Sequence, residues 1–253
     1  MKQATMKRST ATLVCAAAFL LAAGCATTRP LPSLAPSTAE NAWHELQKFR
    51  DEFRGAAGYT RMRVASGTSH RSFNARLSIG GAGAVELAAL TPLGTTAFTL
   101  FVERDEVLFL NHLQRTFWNG TLADLNRSLP IFGGIEDSSS LGFLLVGLPP
   151  PCQSGERANE PAGSSILTCG GYQLTIDPAG LRSATRADNS LSIEYAVPAF
   201  PTGKVLLRSS APGGGEVSIE YLELNARSKA LRRPAVPSDF TRGAPPVALE
   251  TGS

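Results

Sequence analysis

From Tyr59 onward apolar residues recur at every second position, and that period decides the fold class. Thr60, Met62 and Val64 alternate with Tyr59, Arg61 and Arg63. Phe73, Ala75, Leu77 and Ile79 alternate with Asn74, Arg76 and Ser78, and Val85, Leu87 and Ala89 follow. A helix would scatter these side chains around its circumference, whereas a strand collects them on one face. Gly67 and Gly80-Gly81-Ala82-Gly83 supply hairpin turns. Residues 97–102 and 107–110 are apolar on both alternations, with a polar turn between them, so they read as strands covered on both faces. A further short strand fits 114–118. Strand patterns resume at 165–168, 172–176, 181–186, 191–197, 204–209 and 216–225. Asp177-Pro178-Ala179-Gly180, Asp188-Asn189 and Pro212-Gly213-Gly214-Gly215 are the turns between them.

Helical spacing occurs in two places. Ala42, Leu46, Phe49 and Phe53 form one stripe of an amphipathic helix ending near Gly55, and Ser37-Thr38-Ala39-Glu40 fits a capping box. In the middle of the chain Thr121 suits the cap of a short helix through Leu122, Leu125 and Leu129. Ser138 to Ser140 suit the cap of a second, through Leu141, Leu144, Leu145 and Leu148, stopped by Pro149-Pro150-Pro151. Ile131-Phe132-Gly133-Gly134-Ile135 is an apolar loop between them, and 153–164 reads as an exposed excursion. The expectation is one α+β domain over 37–228, then a Pro-rich, irregular tail over 229–253 with Asp239-Phe240 as a docking point.

The first residues read as an address. Lys2, Lys7 and Arg8 precede an apolar run from Ala11 to Ala23. The run suits a signal peptide and is shorter than the ~20 residues of a spanning helix. Its end, Leu21-Ala22-Ala23-Gly24-Cys25, resembles the lipobox of bacterial lipoproteins, although Ala22 stands where that motif usually has Leu. The resemblance implies removal of residues 1–24, acylation of Cys25 and a lipidated tether over 25–36, in which Pro30, Pro32 and Pro36 oppose regular structure. An ordinary cleaved signal peptide is the alternative. Ala26, where enterobacterial lipoproteins retained in the inner membrane carry Asp, points to the outer membrane. Cleavage also changes the charge. The full chain has 24 Lys plus Arg against 21 Asp plus Glu. Loss of Lys2, Lys7 and Arg8 leaves 21 of each, so the formal +3 belongs to the address and nucleic acid loses its electrostatic support as a partner.

Catalytic and metal-binding patterns are missing. His44, His70 and His112 lie in different elements without a second ligand at metal spacing, so they read as surface positions and no metal or cofactor is expected. No G-x-S-x-G, H-E-x-x-H or Walker loop occurs, and no enzymatic activity is expected. Cys152 and Cys169 are the only Cys of the mature chain besides Cys25. In an envelope protein such a pair suits a structural disulfide; the redox alternative lacks C-x-x-C spacing.

Leu90-Thr91-Pro92-Leu93-Gly94-Thr95-Thr96 and Leu144-Leu145-Val146-Gly147-Leu148-Pro149, in the order lipobox, helix, strands, Pro-Leu-Gly, helical insertion, Gly-Leu-Pro, strands, resemble LolB-type outer-membrane lipoprotein receptors. The likeness covers most of residues 37–226. The family's Trp before Gly-Leu-Pro is absent here, and the Pro-rich tail is similar to the related carrier LolA. The resemblance implies an incomplete antiparallel β-barrel of about 11 strands, wrapped by the N-terminal helix and the mid-chain helical insertion. It implies an apolar interior for acyl chains, with Leu87, Phe98, Leu100 and Phe109 as lining candidates, although either alternation could face inward. It gives Pro92, Leu93 and Gly94 the role of a loop that inserts Leu93 into a membrane. A Leu93 buried in its turn is the other possibility. The implied protein is anchored in the outer membrane facing the periplasm and takes lipidated proteins as cargo from a LolA-type carrier. The rival readings are an envelope lipoprotein that binds another protein with the same half-barrel, and a hydrolase with an unrecognised site.

Overall fold

Gly67 turns the chain at φ +56°, and the strands on either side pair antiparallel from Gly55↔Gly80 to Ser66↔Ser69. The computed structural model describes residues 29–33, 38–130, 135, 137–152, 157–159, 163–196, 202–227 and 230–246. In chain order the elements are β1 (Arg29–Pro30), α1 (Ala39–Glu52), β2 (Gly55–Ser66), β3 (Ser69–Gly80), β4 (Val85–Leu90), β5 (Thr96–Glu103), β6 (Glu106–Asn111) and β7 (Thr116–Thr121). Then come α2 (Leu122–Ser128), α3 (Ser138–Leu145), β8 (Arg157–Asn159), β9 (Ser165–Cys169), β10 (Tyr172–Asp177) and β11 (Gly180–Arg186). The chain finishes with β12 (Leu191–Tyr195), β13 (Lys204–Ser209), β14 (Glu216–Ala226) and β15 (Thr241–Arg242).

All the strands join one sheet, in the order β15-β7-β6-β5-β4-β3-β2-β14-β13-β12-β11-β10-β9-β8, with β1 added beside β14. Each pairing is antiparallel except β15 on β7. Among the described residues β8 and β15 do not pair, so the sheet stays open rather than closing into a barrel. This is the expected α+β architecture, with the N-terminal helix and the helical insertion both present.

The differences lie in short pieces and caps. Arg29–Pro30 of the expected tether pairs with Asn225 and Ala226; Pro is tolerated at such an edge because nothing further needs its missing N–H. Within the expected excursion, Arg157–Asn159 pairs with β9. The cap of α1 is Thr38, whose hydroxyl accepts from Asn41 N at 3.1 Å, one residue later than the capping-box reading placed it. The cap of α3 is Asp137 rather than the serines, because its carboxylate accepts from both Ser139 N and Ser140 N. Leu148 lies beyond α3, whereas Thr121 caps α2 as expected.

Two hydrophobic layers sit on opposite faces of the sheet. The inner face buries Leu77, Leu87, Val102, Leu174, Ile193 and Ile219 in one cluster with Trp43 and Leu46 of α1 and Leu125 and Leu144 of the insertion. Helix α1 rests on β10 and β11, while α2 and α3 cover the β3 to β7 half. The outer face of β5 and β6 buries Phe101, Leu108 and Leu110 under Leu231 and Phe240. The doubly apolar strands are therefore covered outside by the C-terminal tail, not by a helix. The tail is irregular but docked. Arg233 pairs with Glu106, Thr241 N donates to Arg115 O at 3.0 Å and Gly243 N donates to Phe117 O at 2.8 Å.

Candidate lipid-binding site

Strand pairing determines which alternation faces inward. Leu87 stands opposite Leu100, and Leu77 opposite Leu87, so the odd positions of β3 and β4 share a face with the even positions of β5. Between this face and α2 and α3 lies a void of about 50 Å³. Met62, Leu87, Leu100, Leu125, Leu145 and Ile219 are among its walls, and every lining residue is apolar. Leu87 and Leu100 thus border the void. Phe98 and Phe109 lie on the same face, with Phe98 nearer the β4–β5 turn. Their ring centroids are 5.7 Å apart, and Phe73 adds a third ring 5.9 Å from Phe98. Phe73 and the β13–β14 side of the void, Leu207, Val217 and Ile219, were legible as alternating apolar positions, but only the pairing brings them to the same place.

The cover is pinned at several points. Tyr195 Oη donates to Leu144 O at 2.6 Å and Tyr221 Oη to Leu145 O at 2.7 Å, holding the last turn of α3. Burial pushes both phenols above their ordinary pKa, and the neighbouring Tyr221 and Tyr172 push Tyr195 further. At the other end of α3, burial by itself would raise the Asp137 carboxyl, but hydrogen bonds from Ser139 and Ser140 outweigh it and hold it below its ordinary value. Gly142 of α3 lies against the β3–β4 turn so closely that a Cβ there would sit 2.5 Å from Gly83 O. Helix α2 has a full capping box between Thr121 and Asp124, and Asn126 Nδ2 donates to Ile135 O at 2.7 Å. Beyond α3, Cys152 and Cys169 form a disulfide with Cα atoms 5.1 Å apart. Arg50 of α1 donates to Pro150 O in the same segment at 3.2 Å. None of these tyrosine or arginine contacts had a local sequence signal, since each partner is a backbone carbonyl far along the chain.

The Pro-Leu-Gly segment is the β4–β5 turn. Gly94 N donates to Thr91 O at 2.9 Å, Thr91 N to Thr95 O at 2.8 Å, and the two threonine hydroxyls are 2.8 Å apart. Gly94 takes φ +79°, which L side chains rarely adopt. Pro92 stiffens the entry. Between them Leu93 is 91% exposed. Cys25, the address over 1–24 and the Ile131-Phe132-Gly133-Gly134 loop lie outside the described residues.

Chemistry beyond packing is sparse. His112 Nε2 lies 3.1 Å from Thr99 Oγ1 and its ring meets Phe240, while His44 faces Glu40 on α1. Among the described residues no group of three or more His, Cys, Asp or Glu side chains could hold a metal ion, and no helix is long and apolar enough to cross a membrane.

No family model matches the chain, and no curated protein sequence does. Solved structures are similar in fold at low identity. A LolA superfamily protein from Nitrosomonas europaea superposes with a TM-score of 0.46 at 9% identity, over 76% of this chain and 94% of that one. A domain described as an outer membrane lipoprotein-sorting protein from Vibrio parahaemolyticus gives 0.42 at 9% identity, over 75% and 94%. A DUF1329 family protein from Desulfovibrio piger gives 0.43 at 8% identity, over 75% and 94%. These are likenesses of fold alone.

Proposed function

We propose that this chain is an outer-membrane-anchored lipoprotein that binds the acyl chains of other lipoproteins between its sheet and helices and helps insert them into the membrane. The observation that carries this reading is the wholly apolar void on the inner face, with Leu87 and Leu100 in its wall and the Phe73–Phe98–Phe109 cluster between it and the Leu93 turn. Acyl chains need such a surface, since each CH₂ left in water costs about 0.8 kcal/mol. At about 50 Å³ the void is smaller than a cavity that admits benzene, roughly 150 Å³. Cargo therefore enters only when α2 and α3 move away from the sheet. The chain is handed over by a soluble LolA-type carrier, and Leu93 dips into the bilayer at release.

The tether limits the geometry. Arg29–Pro30 pairs at the Ala226 end of β14, roughly 25 Å along the strands from the Leu93 turn. Four residues from Cys25 to Arg29 reach at most ~14 Å. Leu93 meets the bilayer that holds Cys25 when the sheet lies along the membrane or when β1 leaves β14. Once β1 is released, the chain from Cys25 to Thr38 reaches up to ~45 Å.

The small void also favours a second reading, an envelope lipoprotein with a filled interior that binds another protein. Lipid extraction separates them. Mature protein kept soluble by Cys25→Ser, purified from an envelope fraction or incubated with a triacylated lipopeptide, carries one acyl ligand per chain under the first reading and none under the second.

A further inference from the structure

Two hairpin turns stand side by side at one end of the sheet, because β4–β5 and β6–β7 are neighbouring antiparallel pairs. The first presents Leu93 and the second Leu113. At 91% and 72% exposed, these are the two most exposed large apolar side chains among the described residues, ahead of Leu222 at 53%. We propose that Leu113 is a second bilayer-contacting side chain, so that the protein meets a lipid surface with paired hairpin tips. The proposal rests on the membrane-facing reading of Leu93.

The Leu113 turn is held as firmly as the Leu93 turn. Asn111 Oδ1 accepts from Leu113 N and Gln114 N, each at 3.1 Å, and Asn111 Nδ2 donates to Gln114 Oε1 at 3.0 Å. Arg115 closes the turn at φ +52°, and the docked tail ties it down through Thr241 N to Arg115 O. The turn cannot fold back to bury its leucine without breaking these bonds. His112 N donates to Ala97 O, so Leu113 lies level with Thr96, and Leu93 projects about two residues further.

Charge identifies the partner as a lipid surface. Neither 91–96 nor 112–116 contains a carboxylate. Arg76 stands beside the first turn, 3.5 Å from Thr96 Oγ1, and Arg115 is in the second, facing the single carboxylate of Asp239 at 3.7 Å. Exposed leucines flanked by guanidinium groups suit a bilayer with anionic headgroups, the apolar tips entering the acyl boundary while the cations stay at phosphate level.

The test is sedimentation of Cys25→Ser protein with phosphatidylcholine vesicles containing or lacking phosphatidylglycerol. Leu113→Ser and Leu93→Ser should each weaken binding by about tenfold with unchanged circular dichroism. The double variant should not bind, and phosphatidylglycerol should strengthen wild-type binding in a salt-sensitive way. Trp placed by Leu113→Trp should be quenched by brominated lipid. If Leu113→Ser binds like wild type while Leu93→Ser does not, this proposal falls and the Leu93 reading stands. If neither changes binding, both fall. Normal vesicle binding by Leu113→Ser with lost uptake from a carrier would assign the tip to a protein partner and overturn the proposal.

Discussion

The Tyr195 hydroxyl donates to the Leu144 carbonyl at 2.6 Å, and this bond fastens the end of α3 to the sheet. It adds a second donor to a carbonyl that Gly147 N already serves at 3.1 Å, while Tyr221 satisfies the Leu145 carbonyl at the same helix end. Tyr195→Phe should cost about 0.5–1.5 kcal/mol, since it removes one buried hydrogen bond while Gly147 N still serves the Leu144 carbonyl, and should speed lipopeptide uptake by loosening the cover. Chemical denaturation and stopped-flow binding measure the two effects. The phenols also make stability depend on pH. Their folded pKa lies above the ordinary 10.0, so their contribution is complete below pH 10 and is lost as pH rises through the folded values. Loss of this contribution should lower the denaturation midpoint on the alkaline side, less so in Tyr195→Phe.

Gly142 offers a test by sign. In an exposed helix interior Gly→Ala stabilises by about 1 kcal/mol. Here the new Cβ meets Gly83 O at 2.5 Å, a backbone atom that cannot step aside. Gly142→Ala is expected to destabilise by roughly 1–3 kcal/mol, read as a lower thermal midpoint. A rise in midpoint would mean that α3 does not pack on the β3–β4 turn as described.

The disulfide ties the segment after α3 to β9. Its 17-residue separation corresponds to about 3 kcal/mol of chain-entropy stabilisation. A Cys152→Ser, Cys169→Ser double variant should lose about that much in urea denaturation. Thiol labelling of oxidised wild-type protein without reductant should find no reactive group at either position.

Much of this was legible in advance, and the rest was not for identifiable reasons. Alternation over 59–102 placed Leu87 and Leu100 on strands, but their common face depended on register, which a single strand does not carry. The double alternation at Ala97–Val102 and Val107–Leu110 announced a second cover without saying what it was. The cover is the tail, and Leu231 and Phe240 are isolated apolar residues in a Pro-rich stretch with no period to mark them. Pro30 argued against strand, yet an edge position places no demand on its nitrogen. Leu93 between Pro and Gly read as exposed or buried alike; the turn hydrogen bonds decide for exposure.

The tail supplies a further prediction. Leu231→Ser with Phe240→Ser should uncover Phe101, Leu108 and Leu110, lower stability by about 1–2 kcal/mol per site and increase binding of an apolar dye. Acyl binding on the opposite face should persist, because the two layers do not share side chains.

Leu93→Glu should fold normally, judged by circular dichroism and thermal midpoint, because Leu93 is 91% exposed. It should still take lipopeptide from a carrier and fail to deliver it to vesicles. Normal delivery would remove Leu93 from the membrane step.

The central claim is that acyl chains lie on the inner face under α2 and α3, and site-specific photocrosslinking tests it most directly. A photoreactive phenylalanine at Leu100, on the inner face, and at Leu108, on the outer face, would be illuminated with a radiolabelled triacylated lipopeptide. The account predicts a crosslink at position 100 and none at 108. Lipopeptide crosslinked at 108 alone, or at neither position while carrier and cargo remain active, would contradict it.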